Sequence, residues 1–460
     1  MLKEKQTFSS RLEILRPNAA GIDLGSKSHY VAVSPSKVEA GKSSVSHFSS
    51  DLLGLEEMAA WLHSYGVQSI AMETTGIYWL SVYEYLEQAG FEVCLVHAAY
   101  VKQVAGRKSD VSDSQWIQQL HSYGLLSSAF VPADKIRELR CYVRHRENLE
   151  RDKSSCMLKI HKSLDMMNVK IHHCLSDMSG VIGMNILRSI AAEQTDLATL
   201  SAFYTKQIKA SEVDFQRALA GNYRAEHIFM LQQNLASFDF LAAQMANCEV
   251  KIERVLSLLV EGELPPEAPT ERKDNTETND LIRPKEKYFR KNQYRFNLKW
   301  YLQTLIGVDL TQVDGLEEST VLTIIGETGI DFTKWKTANH FTSWLKLAPQ
   351  PKITGGKRVG HFRTKMKNRA NQAFRVAALA VRNTKSALGA FYRNMRSRKG
   401  PAFAVKATAR KIATIFYEMI TKKTVYQHIT DELYLQQIEE KKISRLMKQA
   451  KKLGFSLQKT

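Results

Sequence analysis

No apolar run in this chain approaches the roughly 20 residues that a membrane span requires. The N-terminal stretch MLKEKQTFSSRLEIL also lacks the apolar core of a secretion signal. Cysteine is scarce: Cys94, Cys141, Cys156, Cys174 and Cys248 are an odd number, widely spaced, with no CxxC pair. This reads as reduced cytoplasmic thiols rather than a zinc site or a disulfide framework. Internal repeats are absent, and glycine is sparse between about Asp134 and Leu259. Most telling, residues 351–411 contain no acid at all, while carrying 17 Lys and Arg.

What is present starts with size and charge. At 460 residues the chain exceeds one ordinary core, so two or three domains are expected. With 44% hydrophobic and 24% charged residues it can bury a real core. Its net charge of +18 points to a polyanionic partner. That charge is segregated, since residues 1–135 hold 11 Lys and Arg against 14 Asp and Glu. A solvated helix face would interleave acids with its cations for i,i+4 pairs. The acid-free segment does not, which favours sequence-independent contact with nucleic-acid phosphates. The candidate contacts are Lys357, Arg358, Arg363, Lys365, Lys367 and Arg369, with a second cluster at Arg393, Arg396, Arg398 and Lys399. Phe391 and Tyr392 beside that cluster could stack on a base, although such aromatics are more often core.

The N-terminal pattern alternates strands with helices. Residues 20–36 read as strand, tight turn at Gly25 and Ser26, and strand. A helix fits 51–66, with Asp51 as N-cap and Gly66 past its end. A strand at 69–75, a helix at 77–90 and a strand at 91–98 follow, implying a partly parallel sheet. From about Asp134 the pattern is helical and charged, as in a helical hairpin or coiled coil. Residues 261–287 read as an exposed polar linker or insertion. Mainly short helices are expected beyond Tyr288. Trp335 and Trp344 read as core, and Tyr78 and Trp79 as packing beneath the acidic site described next. The expected class is α/β plus all-α, with domains at 15–130, 131–260 (helical spacer), 261–297 (linker), 298–425 and 426–460 (helical tail).

Four carboxylates stand out by position. Asp23 ends the first strand, Glu73 ends a later one, and Asp110 and Asp113 open a helix with the i,i+3 spacing of one face. Singly each has an ordinary explanation: a turn residue for Asp23, an N-cap or dipole-favoured acid for Asp110 and Asp113. Convergent, they would repel one another unless divalent cations sat between them. Two such ions are the usual apparatus of phosphoryl transfer.

The order of Asp23, METTGIYW around Glu73, and SDVSD around Asp110 and Asp113 resembles the DEDD transposases, insertion-sequence recombinases. The stretches DGLEESTVLTIIGETG (314–329), WLKLAPQPKITGGKRVGHFRTKMKNRANQAFRVAA (344–378) and 388–420 resemble the same family's C-terminal domain. The resemblance implies an RNase H-like (RuvC-like) N-terminal domain and a mainly helical, basic C-terminal domain with a helix-hairpin-helix-like opening. It implies two Mg²⁺ ions on Asp23, Glu73, Asp110 and Asp113, DNA as substrate, a structured non-coding guide RNA, and a prokaryotic cytosol or nucleoid as location. A split site of this kind implies a homodimer or homotetramer. The family's nucleophilic serine falls here on Thr354, whose hydroxyl can also attack but whose β-methyl adds steric load. Ser114, where relatives often carry alanine, is expected to matter little.

Two rival readings remain at this level: a hydrolytic nuclease or Holliday-junction resolvase, and an inactive nucleic-acid-binding relative. A nucleotide-binding P-loop at PKITGGKRVG is excluded, because Pro351 and Arg358 stand where that motif needs glycine and Ser/Thr. The glycines there are expected to let the backbone approach a DNA phosphate.

Overall fold

The computed structural model describes residues 13–74, 76–96, 110–261, 292–349, 351–361 and 368–455. It divides into two compact units, Met1–Val131 and Pro132–Thr460.

The first unit is built on a five-stranded sheet: β1 (Ala19–Leu24), β2 (Ser28–Ala32), β3 (Val45–Ser49), β4 (Ser69–Glu73) and β5 (Glu92–Val96). The spatial order is β3-β2-β1-β4-β5. β1 and β2 form the expected hairpin, and β3 extends it antiparallel. β4 runs parallel to both β1 and β5, because a helix separates each of these strands from its predecessor. This mixed sheet with its helices is the RNase H-like arrangement expected. Strand β3 was not expected; its sequence, VSHFS, has one buried residue, Phe48, and so little apolar signal.

Both faces of the sheet are covered. On one, Ile22, Leu24, Ile70, Met72 and Leu95 pack against Leu55, Met58 and Leu62 of α1 (Leu52–Ser64) and Val82, Tyr83 and Leu86 of α2 (Trp79–Gln88). Helix α1 begins where Asp51 accepts the Gly54 amide and ends before Gly66, whose φ of 61° suits a glycine. On the other face, Ala71, Cys94 and Val96 meet Ile117 of α3 (Asp110–Ser122).

The second unit is helical apart from one hairpin. Two long helices, α4 (Asp134–Met166) and α8 (Ala225–Leu259), run antiparallel. Near one end Arg146 meets Glu249 and the Cys248 thiol meets the Tyr142 carbonyl. Further along, Lys153 lies over Phe238. Three short helices, α5 (Val181–Ala191), α6 (Leu197–Ser201) and α7 (Glu212–Leu219), close the far end around Ile160, Leu164, Phe215 and Leu231.

The remainder holds α9 (Leu298–Ile306), α10 (Glu318–Thr328), α11 (Ala338–Trp344), α12 (Arg369–Ala380), α13 (Ala387–Lys399), α14 (Pro401–Lys422) and α15 (Asp431–Lys452). Its core is aromatic: Phe332, Trp335, Phe341, Phe374, Phe416 and Tyr417 are buried together. Arg144 grips both carboxylate oxygens of Glu327 at 2.7 and 2.8 Å, fastening α10 to α4. This region is mainly helical, as expected, and within it lie β6 (Pro351–Thr354) and β7 (Lys357–His361), an antiparallel pair. Most of the expected linker, residues 262–291, lies outside the described residues. Among the described residues no helix is long and apolar enough to cross a membrane, and the five cysteines are free.

Candidate active site

The acidic site follows from strand parity. In β4, Ala71 faces α3, so Glu73, two residues on, lies on the same face. In β1, Gly21 lies under α3, so Asp23 shares that face too. The parallel register pairs Ile22 with Met72, which sets Asp23 and Glu73 side by side at the C-terminal ends of adjacent strands. Such ends are where open α/β sheets place their ligands.

Helix α3 brings the other two acids. Three contacts pin it to the sheet. At Gly21 the backbones touch: a Cβ there would lie 2.2 Å from the Gln118 nitrogen and 2.5 Å from the Ser114 oxygen. Gln118 donates from Nε2 to the Ala19 carbonyl at 3.3 Å and to Ser122 Oγ at 2.8 Å. His121 Nε2 meets Ser69 Oγ at 2.8 Å in the interior. Burial pushes that imidazole down to about 4, with the charge of Arg16 adding to the shift, so the ring is neutral at physiological pH. Asp110 and Asp113 then sit in the first turn of a fixed helix, where the dipole favours acids. Ser114 is fully buried, and its hydroxyl donates to the Val111 carbonyl at 2.9 Å. The serine therefore carries its own partner inside the helix.

Burial, and then the charges of Asp110, Asp113 and Glu73, push the Asp23 carboxyl up to about 6. A hydrogen bond from the Leu24 amide opposes the shift. Among the described residues, no three His, Cys, Asp or Glu side chains stand gathered closely enough to hold an ion as they are. Like charges brought close repel one another, and a divalent cation between them would offset that repulsion. The donor set is all carboxylate oxygen, which suits hard divalent cations and not soft ones.

Gly21, Gln118 and His121 were not singled out in the sequence. The available signal was Gly21 itself, a glycine inside a strand two residues before an acid, which marks a close backbone approach. One expectation is corrected here. Trp79 packs against the sheet core, but Tyr78 is 44% and Ile77 82% exposed, so they do not underlie the site. Their neighbour Gly76 has a φ of 57°, turning the chain outward before α2 starts.

In the second unit, Thr354 and Lys357 face each other across a two-residue loop. Gly355 and Gly356 have φ of 55° and 74°, the left-handed pair of a type I′ turn. Space is open beside both, with nothing within 4 Å of an added Cβ. The turn itself is what requires glycine. Thr354 and Lys357 are both exposed.

The cationic candidates divide. Arg396, Arg398 and Lys399 are exposed on the last turn of α13. Arg369 is paired with Glu147 at 2.5 Å. Arg393 holds the Thr384 carbonyl and Asp431 at 2.9 Å each, tying α13 to α15. Phe391 is occupied by Lys411, whose ammonium lies 4.7 Å from its centroid and 4.6 Å from that of Tyr434. Tyr392 is buried. Arg358 lies in β7, and Arg363, Lys365 and Lys367 lie outside the described residues.

Family models match the chain in both its N-terminal and C-terminal parts. A family model of DEDD transposases of the IS110 type, described as transposase, matches residues 20–169, the sheet, α3 and all of α4. A second, described as the transposase IS116/IS110/IS902 family, matches residues 309–393, which include the Thr354 hairpin. No curated protein matches the chain. The two models belong to one kind of element and together span about half of the chain, in the order its two units require. The chain belongs to the IS110-type family of DEDD transposases.

Proposed function

We propose that this transposase, an enzyme acting on DNA, cleaves and rejoins strands by metal-dependent phosphoryl transfer, using the hydroxyl of Thr354 as nucleophile. Asp23, Glu73, Asp110 and Asp113 would hold the divalent ions, two Mg²⁺ in the simplest form. The observation that carries the reading is the placement of Asp23 and Glu73 at the ends of adjacent strands with Asp110 and Asp113 in the first turn of the helix packed on them, where burial and then the other three acids push Asp23 up. A bound ion pair would supply charge neutralisation at the attacking and leaving oxygens.

The chain's own residues do the rest. Gly21, Gln118 and His121 keep α3 in place, so Asp110 and Asp113 stay beside the strand ends. Lys357, Arg358, Arg396, Arg398 and Lys399, together with Arg363, Lys365 and Lys367, would neutralise DNA or guide-RNA phosphates. Arg369 and Arg393 would join them only by exchanging a carboxylate for a phosphate. Thr354 and the acids would meet at one phosphate in an assembled dimer or tetramer, one subunit's acids serving another's hydroxyl. A structured RNA from the element would choose the DNA, in a prokaryotic cytosol or nucleoid.

The test is a covalent adduct. Full-length protein is incubated with Mg²⁺, RNA transcribed from the element's flank, and a labelled duplex spanning the element–flank junction. A protein–DNA adduct that maps to Thr354, disappears in Thr354→Ala and survives in Thr354→Ser supports the reading. Free ends without adduct support water as the nucleophile, as in a resolvase. Unchanged DNA processing in Asp23→Asn and Glu73→Gln would remove the catalytic claim.

A further inference from the structure

We propose that Lys357 is the residue that grips the scissile phosphate itself, forming with Thr354 a two-residue clasp at the tip of the β6–β7 hairpin. This rests on the reading of Thr354 as nucleophile. The argument starts from the turn. In an antiparallel pair, directly opposed residues project to the same face, with Cβ atoms about 5 Å apart. The register opposes Thr354 to Lys357, and the two-residue loop between them fixes that register. The hydroxyl and the ammonium stem therefore rise from one face at adjacent positions.

The surroundings restrict what this pair can serve. Both residues are exposed, and among the described residues they are partnered through the strand ladder rather than through their side chains. The glycines between them leave open space on both sides. A β-bulge at Lys352/Ile353 adds a residue to β7 just beyond, a device that raises local twist and re-aims side chains near functional sites. Arg369 and Arg393, by contrast, are held by Glu147 and Asp431. Lys357 is thus the described cation placed next to the hydroxyl and left free for an incoming anion.

In the step proposed, the Thr354 Oγ–P bond forms as one P–O bond to the neighbouring nucleotide breaks. The hydroxyl proton passes to water and the leaving oxygen takes one up; nothing is oxidised or reduced. Lys357 stays an ammonium throughout and contacts a non-bridging oxygen, where charge is greatest in the transition state. A compact ammonium on a flexible stem suits this single-oxygen contact.

The experiment is the adduct assay above, run on two duplexes, one with a normal phosphodiester at the scissile position and one with an uncharged methylphosphonate. On the phosphodiester, Lys357→Ala is expected to slow adduct formation about a hundredfold, with Lys357→Arg retaining most of the rate. On the methylphosphonate, Lys357→Ala and the parent chain are expected to converge within about threefold. Equal losses on both duplexes would assign Lys357 to hairpin structure, and no loss on either would make it a bystander; each overturns the proposal. Failure of Thr354→Ala to abolish the adduct would instead overturn the nucleophile reading beneath it.

Discussion

A β-carbon on Gly21 would lie 2.2 Å from the backbone nitrogen of Gln118, so strand β1 and helix α3 meet backbone to backbone. Gly21→Ala must push the helix away or distort the strand. Overpacking of this kind costs about 1–3 kcal/mol, and the displaced helix takes Asp110 and Asp113 with it. The expected result is a lower melting temperature together with loss of DNA cleavage. A variant with parental stability and activity would show that this contact does not set the site.

The acidic cluster makes a prediction about pH. The Asp23 carboxyl binds its proton more tightly folded, at about 6, than at its ordinary 3.8. Its contribution therefore favours folding at acid pH and turns unfavourable as pH rises through 6. In EDTA, Asp23→Asn should be stabilising at pH 8, by about 1 kcal/mol once solvent screening of a half-exposed group is allowed for, and neutral near pH 4. Denaturant melts at the two pH values check it; an equal difference at both would refute it. Adding Mg²⁺ should raise the melting temperature of the parent chain more than that of the variant.

Glu327 offers a test of the second unit. It accepts two hydrogen bonds from Arg144, while Arg140 donates to the carbonyls of Gly326 and Glu327 at 2.9 and 3.1 Å. Burial holds Arg140 down at about 10 and Glu327 pulls it back up. Glu327→Gln removes the carboxylate that faces two partly buried guanidinium groups. A loss of about 2–4 kcal/mol is expected, seen as a lower denaturation midpoint. A change below about 0.5 kcal/mol would mean that the pair is solvent-screened like a surface bridge.

The Gly355–Gly356 loop distinguishes two roles for its glycines. Asn-Gly is a favoured type I′ sequence, so Gly355→Asn keeps the turn while filling the open space beside it. Gly355→Val cannot adopt the left-handed conformation without strain. Adduct formation retained in the first variant and lost in the second would mean that the glycines serve turn geometry. Loss in both would mean that DNA needs the empty space, as the sequence alone suggested.

Much of the first unit was legible because its signals are local. Asp51 and Gly66 bracket α1, and apolar runs locate β1, β4 and β5. The carboxylate positions were legible for the same reason, Asp23 and Glu73 as acids at the ends of apolar strands and Asp110 and Asp113 as acids opening a helix. What escaped is what depends on partners distant in sequence. β3 has no apolar pattern of its own, and it is a strand because β2 pairs with it. Gly21 looks like any strand glycine until α3 lies on it. Arg369 and Arg393 look like free cations until Glu147 and Asp431 arrive from elsewhere in the chain. The β6–β7 hairpin escaped through charge, since a lysine- and arginine-rich stretch hides a strand's alternation.

The antiparallel course of α4 and α8 has a consequence for how this protein can vary. Asp134 and Leu259 belong to the same end of the pair, so the chain leaves and rejoins one place after a detour about 50 Å long. The contacts with α10 and α12 are made through Arg140, Arg144 and Glu147, all in the first half of α4. Among the described residues, the far end packs against its own small cap of helices. Lengthening or shortening both helices there by matched whole turns would alter reach while leaving the anchored end untouched. The length of the arm is a property that this architecture can change without redesigning its anchored end.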